Sequence, residues 1–75
     1  MDFLAMLDQL INMTDQSPIT HTWLRTLRRA VNKPQANHVA LLTAWTTTAK
    51  DAEKRLGTDV SLTLDLAARL EKIVK

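Results

Sequence analysis

The stretch SPITHTWLRTLRRAVNK, residues 17–33, decides the fold class. Its apolar residues Ile19, Trp23, Leu24, Leu27, Ala30 and Val31 recur with a 3.6-residue period, so at ~100° per residue they gather on one side of a helix. The opposite side carries His21, Arg25, Arg28, Arg29, Asn32 and Lys33, with Thr22 beside them. Ser17 is placed to cap this helix, and Pro18 takes the first helical position, where its missing N–H costs nothing. Pro34 ends it, because the residue before a proline avoids the helical region.

Upstream, Phe3, Leu7, Leu10 and Ile11 share the helical spacing, with Leu4 and Met6 widening the stripe. A helix from about Asp2 to Met13 is predicted, stopped by the polar cluster Thr14-Asp15-Gln16-Ser17, whose side chains compete for backbone hydrogen bonds. Downstream, Val39, Leu42, Trp45, Ala49, Ala52 and Leu56 step by three and four, a heptad-like seam that predicts a third helix from Pro34 or Gln35 to about Leu56. Thr46, Thr47 and Thr48 are poor helix formers and mark a place where it can loosen. Gly57 sits where a helix C-terminus wants a positive φ. From Val60 to Lys75 two periods compete. Val60, Leu62, Leu64 and Leu66 alternate as in a strand, while Leu62, Leu66, Leu70 and Ile73 repeat as in a helix. A lone strand would find no partner in this sequence, and Asp59 or Ser61 can cap a helix, so helix is the reading.

The composition agrees. One glycine, two prolines and 45% hydrophobic residues in 75 residues exclude disorder and favour packed helices over sheets. The expected fold is all-α: a single domain, residues 1–75, folded as a compact bundle of three to four short helices with antiparallel neighbours. Its core should draw on Leu7, Leu10, Trp23, Leu27, Val39, Leu42, Trp45, Leu56, Leu66 and Leu70. A chain this short buries only ~60–65% of its unfolded surface. With no cysteine, disulfides and thiolate metal sites are excluded, leaving tight helix packing or self-association to supply stability. No apolar run approaches the ~20 residues of a membrane span, and the first eleven residues are apolar and acidic, the wrong charge for a targeting segment. A cytoplasmic protein without membrane contact is expected.

The net charge of +2 hides a segregated pattern. Residues 1–15 carry Asp2, Asp8 and Asp15 and no base, whereas residues 16–50 carry Arg25, Arg28, Arg29, Lys33 and Lys50 and no acid. Acids and bases balance over residues 51–75. Nothing acidic within the second helix neutralises its cations at i±3 or i±4. Clustered arginines repel one another, and an anionic partner relieves that cost. A basic face is also what a solvated helix commonly presents, and the first helix's aspartates can dock against it inside the fold. The candidate partner-binding residues are His21, Thr22, Arg25, Arg28, Arg29, Asn32 and Lys33.

Three function classes follow. The first is a non-catalytic regulatory or adaptor module that binds an acidic protein surface through this face. The second is a helix-turn-helix-like nucleic-acid binder, with Thr20, His21, Thr22 and Arg25 entering a groove. It fits less well, because the turn near Pro18 lacks glycine and +2 is a modest charge for DNA. The third is a structural homo-oligomer associating through the seam of the third helix. Catalysis has little to work with. Asp15, Ser17 and His21 match a triad only as residue types, since nothing suggests a strained nucleophile or an oxyanion hole. His21 and His38 have no ligand partner at i, i+4, and one glycine makes no phosphate-cradling loop, so no metal or cofactor is expected.

Overall fold

In the computed structural model, which describes residues 2–74, the chain forms four helices in order: α1 (Phe3–Met13), α2 (Pro18–Ala30), α3 (His38–Leu56) and α4 (Ser61–Val74). Among the described residues there is no strand. The Cα radius of gyration is 11.6 Å, against ~27 Å for an unfolded chain of this length.

Contacts between helices fix their directions. Asp8 and Ile11 of α1 meet Arg28 and His21 of α2, so these two run antiparallel. Trp45 of α3 bonds back to Trp23 of α2, while Val39 and Thr43 near the start of α3 share a crevice with Val74 and Glu71 near the end of α4. Thr63 reaches Thr20, placing the N-terminal turns of α2 and α4 at the same end. The bundle runs up and down in alternation, α2 touching α4 across it. At the other end, the Phe3 and His38 rings of α1 and α3 lie 5.0 Å apart.

Local chemistry sets the helix ends. Thr14, just past α1, is buried and turns its hydroxyl back to the Leu10 and Ile11 carbonyls at 2.9 and 3.2 Å. Pro18 opens α2 as its spacing predicts, but Ser17 makes no side-chain cap bond. What Ser17 supplies is its carbonyl, which accepts from His21 N–H at 2.8 Å. Helix α3 starts later than Pro34 or Gln35. Asn37 caps it, its side-chain oxygen accepting from Ala40 N–H at 3.1 Å, a bond worth ~1 kcal/mol. The capping residue therefore overrides proline's tolerance for a first turn, and residues 31–37 connect the helices. The threonine run does not interrupt α3, because Thr46, Thr47 and Thr48 each bond back to the carbonyl four residues earlier, at 2.8–3.0 Å. Gly57 ends α3 at φ +67°, as its position predicts. Asp59 then receives Ser61 N–H at 3.0 Å at the mouth of α4.

The core joins Phe3, Leu7 and Leu10 of α1 to Leu24, Leu27 and the adjoining Val31, to Leu42 and Trp45 of α3, and to Leu66, Ala67 and Leu70 of α4. Three expected members lie elsewhere. Val39 is 39% exposed and Leu56 is 76% exposed. At 19 residues α3 spans ~28 Å, against ~16–21 Å for its neighbours, and Leu56 at its C-terminal end stands clear of them, whereas Val39 sits at the rim beside Phe3 and Val74. Trp23 is only partly buried, packing against the rim of the core. The inward stripe of α4 runs through Thr63, Leu66, Ala67 and Leu70, with Val60 buried just before the helix, and it turns Leu62 outward.

Candidate partner-binding face

Helix α2 carries the candidate site because its buried arc, Thr20, Leu24 and Leu27, fixes which residues must point away. Arg25 and Arg29 lie on that outer side and are exposed. The helix closes at Ala30, so Asn32 and Lys33 belong to the following turn rather than to α2, and both remain exposed. An open cleft of about 350 Å³ lies over this region, lined by Ile11, Arg25, Arg28, Arg29 and Asn32. Residues of α1, of α2 and of the turn that follows it thus bring together four of the seven candidates.

The cations are not equivalent. Arg28 donates from Nε to Asp8 Oδ1 at 2.8 Å and from Nη1 to Asn32 Oδ1 at 3.2 Å. Its charge is shared with α1, and the docking of acidic α1 on basic α2 is realised at this one pair. Arg25, Arg29 and Lys33 have no ion pair or side-chain hydrogen bond among the described residues. Arg28 and Arg29 also sit in the last turn of α2, where they complement the helix dipole.

Two candidates turn away from the cleft. His21 is partly buried, and its Nδ1–H donates to the Ile11 carbonyl at 3.1 Å, tying α2 to the end of α1. That bond also engages the ring that a Ser17–His21 pair would need. Thr22 is exposed but lines a second opening on the other flank, an open and almost wholly apolar groove of about 560 Å³ formed with Pro18, Ile19, Trp23 and Thr26. The sequence reading missed this groove, because Ile19 and Trp23 fall on the apolar side of the α2 wheel. The available signal was that Ile19 sits at the edge of that arc, about 80–140° from Thr20, Leu24 and Leu27.

Among the described residues, no group of three or more histidine or acidic side chains is arranged to hold a metal ion, and no helix is long and apolar enough to cross a membrane. No protein-family model, curated protein or solved structure matches this chain.

Proposed function

We propose that this chain is a small non-catalytic binding module that holds an acidic protein partner on the outer face of α2. The observation that carries the reading is the state of Arg25 and Arg29 on the outer face, with Lys33 in the turn beyond it, all three exposed and without an internal counter-charge among the described residues. Arg28 contributes less, because Asp8 already offsets it. A protein is favoured over nucleic acid on one further ground. Of the four side chains a groove-entering α2 would offer, Thr20 is buried and His21 is engaged with Ile11, so only Thr22 and Arg25 are left to touch base edges.

The test is binding of a labelled glutamate-rich peptide and of labelled duplex and single-stranded DNA, at low and near-physiological salt, to the native chain and to an Arg25→Ala/Arg29→Ala/Lys33→Ala variant. The expected result is peptide binding that weakens with salt and disappears in the variant, with negligible DNA affinity. DNA binding that falls steeply with salt and is lost in the variant replaces this reading with the nucleic-acid one. No binding of either probe at low salt makes the face a solvated surface and ends the proposal.

A further inference from the structure

We infer that the partner of this face is an acidic amphipathic helix, its apolar side seated in the groove of Pro18, Ile19, Thr22, Trp23 and Thr26 and its carboxylates on Arg25 and Arg29. The inference rests on the reading above and specifies the kind of acidic partner. It starts from the groove's chemistry. Ile19 is 45% exposed and the Trp23 ring is half-buried, so a large apolar surface lies open on α2. The one hydroxyl whose direction is fixed there, Thr26 Oγ1, donates back to the Thr22 carbonyl at 2.9 Å, so it has no hydrogen left for an occupant. The groove's surface is mostly apolar, and it rewards apolar side chains.

Its wall is also held in place. Trp45 Nε1–H donates to the Trp23 carbonyl at 2.9 Å, and the two indoles meet edge to face with centroids 6.2 Å apart. A wall already ordered in the free protein loses little freedom on binding.

The groove does not stand alone. Thr22 and Thr26 alternate along α2 with Arg25 and Arg29 at spacings of three and four, so cations flank the apolar strip over the 13-residue, ~20 Å helix. That pairing selects a partner with apolar residues on one side and acids beside them. The partner's backbone must be self-sufficient, because α2 spends its amides and carbonyls internally and offers no strand edge for an extended chain to pair with. A helix meets both demands.

The experiment compares two peptides of about 14 residues, matched to the length of α2, with a lysine-for-glutamate version of the leucine peptide as a charge-reversed control. Both carry the same glutamates on one flank. One has leucines at i, i+3, i+4 and i+7, and the other has alanine at those places. Affinity and tryptophan emission are read for the native chain, Ile19→Glu and Arg25→Glu/Arg29→Glu, with circular dichroism and a thermal melt to certify that each variant is folded. The leucine peptide should bind the native chain at least tenfold tighter than the alanine peptide, shift Trp emission to the blue and gain helicity. Ile19→Glu should remove that tenfold advantage, and a lysine-for-glutamate peptide should bind the arginine reversal variant but not the native chain. If the two peptides bind equally and Ile19→Glu changes nothing, while the arginine reversal still abolishes binding, the amphipathic helix is ruled out and the basic-face reading stands. If neither peptide binds at low salt, both fall together.

Discussion

Thr63 Oγ1–H donates to Thr20 Oγ1 at 3.1 Å between two helices, and neither residue is more than 4% exposed. A buried hydroxyl pair is a conditional asset, because each member needs the other. Thr63→Val alone leaves the Thr20 hydroxyl buried without this bond, a loss of ~1–3 kcal/mol. Thr20→Val with Thr63→Val should recover most of it, since both polar groups then leave together. Urea denaturation of the two single variants and the double one reads the coupling directly. A double variant as unstable as the two losses added would mean that the hydroxyls do not depend on one another.

The two tryptophans should separate in a stability assay. Trp45 is 7% exposed and bonds through its indole N–H, so Trp45→Ala should cost ~3–5 kcal/mol, enough to unfold most of a chain this size. Trp45→Phe keeps an aromatic ring but strips the bond to the Trp23 carbonyl, and should cost less. Trp23→Ala should be milder than Trp45→Ala, because part of its ring is already in water. Melting temperatures in the reverse order would place Trp23, not Trp45, in the core.

Asp8 should restrain binding rather than stability. Its pair with Arg28 is largely exposed, with side-chain accessibilities of 55% and 29%, so Asp8→Asn should change folding free energy by less than ~1 kcal/mol. The same change releases Arg28 and removes a negative charge beside the cleft. A glutamate-rich peptide should then bind a few-fold tighter at low salt, with the gain fading as salt is raised. Unchanged or weaker affinity would show that Arg28 lies outside the binding face.

Asp59 gives one arm of the acid response. Its carboxylate is held below the ordinary carboxylate range first by the Ser61 backbone N–H and then by the Ser61 hydroxyl. A depressed folded-state value stabilises the native chain above the unfolded value and loses that contribution as pH falls through the folded one. Asp59→Ala should therefore be less stable than the native chain near neutrality, and the two should converge as pH drops well below ~4. Equal acid and neutral differences between them would remove titration as the cause.

The features legible in the sequence were those governed by one helix at a time. The period of residues 17–33 is enough to set Leu24 and Leu27 inward and Arg25 and Arg29 outward, and Gly57 marks its own helix end. The features that were not legible depend on how far one helix extends past another. Val39 and Leu56 have the spacing of core residues, but Leu56 lies past the shorter neighbours of α3 and Val39 sits at their rim beside Phe3 and Val74. Whether the face of α1 that meets α2 would bring Asp8 to Arg28 is set by the rotation of α1, which its broad apolar stripe leaves open. His21 reads as polar and outward, yet the Ile11 carbonyl in the last turn of α1, which also receives Thr14, draws it in. Proline's tolerance for a first turn points to a start of α3 at Pro34 or Gln35, whereas the cap that sets it is Asn37.

The edge-to-face indoles of Trp23 and Trp45 give the molecule an optical signature of its own. With no tyrosine and one phenylalanine, near-ultraviolet absorption in this chain belongs almost entirely to these two rings. At 6.2 Å and 75° their excited states couple, and the coupling lasts only while α2 and α3 stay docked. A circular-dichroism band from that pair would therefore time the joining of two helices during refolding, without any label attached.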